Sequence, residues 1–234
     1  MILPQHDLDR SSPLCPANGM RGLRSLISIL ALLLAIVSVS APRLLSMKQL
    51  DALQDHYGQA AVTRIQGWQK MLLLNQHEAE LQKLEAVNDF FNRMRFVSDL
   101  EHWGKKDYWA TPIEFIATAG GDCEDFSIAK YFSLLELGIA AEKLRLIYVK
   151  ASSINQAHMV LGYYATPNAE PKILDNLEQT IKPASLRPDL IPSYSFNGNN
   201  LWAAKMLREG GKKVGKSENI GVWRMLMERM NALR

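Results

Sequence analysis

The order of apolar periods along this chain predicts an α+β domain. Helical spacing fills the first half, from Leu44 to about Leu100; a second helical stretch opens at Cys123 and stops at Gly138; after that the period shortens to the alternation of strands.

Taken in order, the N-terminus comes first. Arg21 and Arg24 precede an apolar run from Leu26 to Val39 that overlaps Ser38-Val39-Ser40-Ala41, the layout of a secretory signal peptide. Fourteen helical residues would span roughly 21 Å at ~1.5 Å each, short of the ~30 Å hydrocarbon core, which favours a cleaved signal over a membrane span. Pro42 makes cleavage after Ala41 awkward, so an uncleaved anchor reaching Leu45 is the alternative. The remaining chain, 42–234, is one domain in size: a helical lobe over about 44–120, a core over about 121–180, and a C-terminal loop and helices over 181–234. Its 24 basic and 22 acidic residues, after the leader's three and two are subtracted from 27 and 24, nearly balance and give no basic surface for nucleic acid. Cys15 leaves with the signal, so Cys123 stands without an intramolecular partner in an oxidising compartment.

The helical lobe reads as Leu44 to Tyr57 and a segment from Val62 to roughly Leu100, punctuated by Gly58 and Gly67, with Leu72, Leu73, Leu81, Leu84, Val87, Phe90 and Phe91 as its inner stripe. Thr111-Pro112-Ile113-Glu114 is a start signal for a short helix to about Ala119: Thr111 at the cap, Pro112 first, Glu114 three residues after the cap. The cysteine helix follows from Cys123 to Leu137, closed by Gly138. Leu144 to Lys150, Ala157 to Tyr164 and Lys172 to Leu177 read as antiparallel strands, residues 183 to 200 as a surface loop rich in Pro, Ser, Asn and Gly, and Leu201 to Glu209 and Glu218 to Ala232 as closing helices. Val222, Trp223, Leu226 and Met230 recur at helical spacing, as core packing requires.

The chemistry concentrates at Cys123. A helix N-terminus favours the thiolate, and His158, 35 residues on, and Asp175, 17 further, fall on adjacent predicted strands. If those strands pair, Cys123 is nucleophile, His158 base and Asp175 the group that orients the imidazole. Taken singly, each residue has a plainer role: Cys123 as a small buried hydrophobe, His158 as a core or surface group, Asp175 as a turn residue. Asp122, Glu124 and Asp125 work against this chemistry, since neighbouring negative charge raises a thiol pKa. Either Asp122 caps the helix while Glu124 and Asp125 complement its dipole, or the three collect a calcium ion.

Gly210-Gly211-Lys212-Lys213-Val214-Gly215-Lys216-Ser217 matches the phosphate-loop pattern, but it follows no buried strand and only 17 residues remain after it. It reads as a basic loop with Ser217 capping the last helix, not as a nucleotide site. His77-Glu78 lacks a second histidine four residues after the first, and His56 and His102 have no ligand-like neighbours, so no zinc motif is present.

Trp109-Ala110-Thr111-Pro112-Ile113-Glu114, Gly121-Asp122-Cys123-Glu124-Asp125-Phe126, Ala157-His158-Met159-Val160-Leu161 and Leu174-Asp175-Asn176 together resemble the bacterial transglutaminase-like cysteine proteinases of the LapG type, with Phe126 where tyrosine is expected. The resemblance spans residues 109 to 177. It implies a papain-like or transglutaminase-like fold, with N-terminal helices and the nucleophile helix packed on a small antiparallel sheet. It also implies a periplasmic, calcium-dependent endopeptidase that clips a large surface adhesin near its N-terminus and so disperses biofilm, held in check by an inner-membrane cyclic-di-GMP receptor. Carried over by position, the resemblance assigns Cys123, His158 and Asp175 to catalysis and Asp122 and Glu124 to calcium, with Asp125 the weaker ligand. For the oxyanion hole the Cys123 N–H is a natural donor; Trp109 is either a second donor through its indole or, equally, a core-packing ring. The competing readings are a transglutaminase or amidase on the same triad, and a non-catalytic binding module.

Overall fold

The computed structural model describes residues 41–203 and 211–232, all within one compact unit. The leader expected at residues 1–41 falls, but for Ala41, outside them. Among the described residues no helix is long and apolar enough to cross a membrane.

Three helices come first: α1 (Met47–Tyr57), α2 (Gln59–Asn75) and α3 (Glu80–Phe91). Ser46 opens α1 with a capping box to Gln49, and Gly58, at φ 81°, separates α1 from α2. The continuous segment expected from Val62 to Leu100 is therefore broken, by the 76–79 turn and by the end of α3 at Phe91. Gly67 does not punctuate; it lies inside α2. Leu72, Leu84, Val87 and Phe91 are buried as expected, Phe90 is half-buried, and Leu73 and Leu81 are exposed.

A two-residue strand, β1 (Arg95–Phe96), and the short α4 (Asp99–Trp103) lead to α5 (Pro112–Thr118). The Thr111 capping box is present as read: Glu114 N–H donates to Thr111 Oγ1 and Thr111 N–H to Glu114. β2 (Gly120–Gly121) pairs in parallel with β1, and α6 (Cys123–Glu136) starts two residues later. Both glycines are needed there. A Cβ on Gly120 would lie 2.8 Å from Arg95 O, and one on Gly121 would overlap the Asp125 carboxylate.

The sheet is β3 (Leu144–Ala151), β4 (Gln156–Tyr163), β5 (Lys172–Leu174), β6 (Lys182–Pro183), β7 (Leu190–Phe196), β8 (Leu201–Ala203) and β9 (Lys212–Gly215), in the order β6-β5-β4-β3-β7-β8-β9 with every neighbour antiparallel. α7 (Gly221–Ala232) closes the chain, with Trp223 and Leu226 buried. One sheet face packs on α6 and the helical lobe through Leu146, Met159, Leu161 and Phe196; the other carries a smaller cluster of Ile147, Val149, Val160 and Ile173.

From β5 onward the chain departs from the sequence expectations at several points. Residues 183–200 are not loop throughout: Leu190–Phe196 form β7, which runs beside β3, and Pro192, which cannot donate to the ladder, sits at the register shift between Tyr148 and Val149 where a bulge accommodates it. Leu201–Ala203 is strand, not helix, because Asn197 folds a turn through bonds from the Asn199 and Asn200 N–H groups to its Oδ1 and returns the chain beside β7; the rest of that expected helix, 204–209, lies outside the described residues. The basic stretch after Gly211 is the edge strand β9, and Ser217, instead of capping the last helix, is buried with its hydroxyl donating to Gly198 O at 3.0 Å. Residues 181–234 thus complete the sheet as well as supplying the last helix. The third strand also stops at Leu174, short of Leu177.

Candidate active site

α6 is buried over most of its circumference, so its first turn is held rigidly where the helical lobe meets the sheet. Ser127 Oγ donates to Met159 O at 2.9 Å, fastening the helix to β4. The Met159 main chain also lies against the Cys123 thiol, one residue from His158.

His158 and Asp175 come together. β4 pairs with β5 through Leu161 and Leu174, and the chain delivers Asp175 directly after β5. His158 Nε2 lies 2.7 Å from Asp175 Oδ1, with both side chains buried. That bond commits Nε2 and leaves Nδ1 as the ring nitrogen free for a reacting group. Burial would raise the Asp175 pKa, but the bond to and charge of His158, the Leu177 N–H and Arg187 together lower it to about 2. Arg187, from the segment read as a loop, donates to Asp175 Oδ2 at 2.7 Å.

The thiol itself is held in its protonated form. Cys123 Sγ donates to Glu124 Oε2 at 3.1 Å; burial, and after it Glu124 and Asp122, push its pKa far up. The acidic surroundings are larger than the sequence suggested. Carboxylate oxygens of Asp99, Asp107 and Glu124 lie within 4.8 Å of one another, as do those of Asp99, Asp122 and Asp125. Asp99 and Asp107 were not read from the sequence as part of this site. They reach it because α4 and the loop after it fold back over the start of α6, and one signal was available: Ser98 before Asp99 is a helix cap that places the acid in a first turn.

Burial, followed by the charge of neighbouring acids, moves Asp99 up to about 6, the Tyr108 N–H opposing the shift. Burial, then Glu124, moves Asp122 up to about 8. Asp125 differs from these two. Its carboxylate accepts from Ala110 N–H at 2.7 Å and Asp122 N–H at 3.3 Å, so it ties the 108–111 segment to the helix start. Asp99 Oδ1 and Asp122 Oδ1 are buried without a hydrogen-bond partner among the described residues. Orphaned carboxylate oxygens in an all-oxygen cluster of excess negative charge fit a hard divalent cation such as calcium.

The Trp109 indole, offered as a second oxyanion donor, is engaged elsewhere in the fold. It donates to Asp107 Oδ1 at 2.9 Å, and its buried ring stacks on Phe196.

Residues 59–194 match the family model described as "Bacterial transglutaminase-like cysteine proteinase BTLCP". The chain belongs to that family. Solved structures of Legionella pneumophila LapG agree with this bacterial transglutaminase-like cysteine proteinase at 42% identity and a TM-score of 0.69, covering 81% of this chain and 99% of the other. An EGTA-treated form of LapG matches at 42% identity and 0.70, covering 81% and 100%, and a calcium-bound form at 41% and 0.68, covering 80% and 99%. No curated protein matches the chain.

Proposed function

We propose that this bacterial transglutaminase-like cysteine proteinase is a calcium-dependent endopeptidase of the periplasm, with Cys123 as nucleophile, His158 as general base and Asp175 as orienter. The observation that carries the proposal is the buried 2.7 Å bond between His158, on β4, and Asp175, directly after β5, with β4 fastened to the cysteine helix by the Ser127 bond to Met159 O.

His158 Nδ1 takes the thiol proton as Cys123 Sγ attacks the scissile carbonyl, and the imidazolium returns that proton to the leaving amine. Water hydrolyses the resulting thioester. Asp175, already ionised, stabilises the imidazolium without accepting its proton. The Cys123 N–H, at the open start of α6, donates to the developing oxyanion.

Asp122 and Glu124, joined by Asp99 and Asp107, would hold calcium. Bound there, calcium would supply positive charge that offsets the carboxylates. Glu124 is the residue that links the two sites, since its Oε2 accepts from Cys123 Sγ at 3.1 Å and it belongs to the acidic cluster. Asp125 serves as a brace more than a ligand. That a solved LapG structure is calcium-bound supports calcium as the ion.

The substrate is the N-terminal region of a large surface adhesin, whose release disperses biofilm, and an inner-membrane cyclic-di-GMP receptor controls access to the enzyme. Complementation of a deletion strain tests the reading: the wild-type gene restores adhesin release and Cys123→Ala does not. Undiminished release by Cys123→Ala would sink it.

A further inference from the structure

Asp175 is gripped from several sides, more than a carboxylate needs merely to accept a bond from histidine. Its Oδ1 takes His158 Nε2 at 2.7 Å and Leu177 N–H at 3.0 Å. Its main-chain oxygen accepts from Asn92 Nδ2 at 2.9 Å, and Asn92 Oδ1 in turn accepts from Lys130 Nζ at 2.7 Å. The second carboxylate oxygen, Oδ2, accepts from Arg187 Nη2 at 2.7 Å.

Arg187 is 5% exposed and is anchored from behind by Asp189, through Nε to Oδ1 at 3.0 Å and Nη2 to Oδ2 at 2.8 Å. Its Nη1 is buried with no partner among the described residues. The two aspartates are therefore what compensates this guanidinium for leaving water.

We propose that Arg187 is a positioning residue: by occupying the Asp175 oxygen that His158 leaves free, it fixes the carboxylate plane and thereby the tautomer and tilt of the His158 ring. The inference rests on the reading of Cys123, His158 and Asp175 as a triad. A carboxylate torsion is broad and roughly two-fold, so a single partner leaves the group free to rock. A planar guanidinium braced by a second carboxylate removes that freedom in a way that a single ammonium point charge does not. The imidazole tautomer follows from which ring N–H the carboxylate accepts.

The test uses the calcium-loaded exported chain, labelled with 15N-histidine and assigned by His158→Gln, together with cleavage of an adhesin N-terminal fragment. In the wild type His158 shows one tautomer, protonated at Nε2. In Arg187→Met the ring resonances shift to a mixture of tautomers and kcat falls by about 10- to 100-fold with KM within twofold, the scale of a modest misplacement of a reacting group. Arg187→Lys, which keeps the charge without the fork, behaves like Arg187→Met, and millimolar guanidinium partly restores kcat to Arg187→Ala. A wild-type spectrum and kcat in Arg187→Lys would reduce the arginine to a neutralising charge and overturn the proposal.

Should Arg187→Met fail to fold, Asp189→Asn removes the brace at a more exposed position. The same mixing of tautomers is expected, and an unchanged spectrum overturns the inference. Full activity in His158→Ala would instead remove the triad reading itself. Inactive triad variants beside silent Arg187 and Asp189 variants would remove only the positioning role.

Discussion

Lys130 sits two turns along α6 from Cys123 with its amine fully buried, donating to Asn88 Oδ1 at 2.9 Å and Asn92 Oδ1 at 2.7 Å. Burial lowers its pKa from 10.5 to about 7, with Asp175 opposing the shift. Between those values the unfolded chain binds the proton more readily than the folded one, so the lysine's cost is absent above about pH 10.5, grows as pH falls and is complete below about pH 7. At about 1.36 kcal/mol per unit the full cost is roughly 5 kcal/mol. Lys130→Met escapes this cost but leaves two asparagine oxygens without their donor, at about 1–3 kcal/mol each. The two effects nearly cancel at pH 7, and their difference in pH dependence is the signal. Wild-type stability relative to Lys130→Met should rise by about 2–3 kcal/mol between roughly pH 7.5 and 9.5. Urea unfolding of both proteins across that range measures it, and parallel curves would refute the reasoning that the amine is held largely neutral.

Three further outcomes are expected. Asp175, lowered from 3.8 to about 2, contributes stability that is present above about pH 3.8 and is lost as pH falls toward 2; in Asp175→Asn acid titration of stability should lose about 2 kcal/mol of its amplitude over that window, and an unchanged acid limb would contradict the pairing. Gly121→Ala forces a Cβ into the Asp125 carboxylate and so loosens its bond to Ala110 N–H; a loss of about 1–3 kcal/mol by denaturant unfolding is expected, and wild-type stability would show that the Gly120–Gly121 pair is not a close approach. Calcium at about 100 times its dissociation constant should stabilise the fold by about 2.7 kcal/mol, and that gain should vanish in Asp122→Ala/Glu124→Ala, read by thermal unfolding with and without chelator. An equal gain in the double variant would move the ion elsewhere.

Much of the site was legible because its parts are local or sit on neighbouring strands. Thr111, Pro112 and Glu114 announce α5 through capping chemistry alone, and Cys123 and His158 fall on a helix and a strand with clear periods, with Asp175 directly after the next strand. What escaped the sequence needs contacts across the fold. Asp99 and Asp107 join Glu124 because α4 and the loop after it return over the start of α6, which no periodicity encodes. Arg187 was hidden by composition, since a stretch rich in Pro, Ser, Asn and Gly reads as loop until Pro192 is seen at a bulge and Asn197-Gly198 as a hairpin turn. Leu201 and Trp202 suit helix or strand equally in so short a run, and only pairing with β7 decides between them. Trp109 looked free to serve the reaction because nothing local shows that Asp107 takes its N–H.

Acyl transfer through Cys123 is open to acid-quenched mass spectrometry of the calcium-loaded chain during cleavage of the adhesin fragment. A thioester adduct confined to the peptide that carries Cys123 is expected, accumulating in the pre-steady state and absent from Cys123→Ala, which leaves the fragment intact. Cleavage of the fragment by Cys123→Ala at the wild-type rate, with no adduct on the native chain, would contradict it.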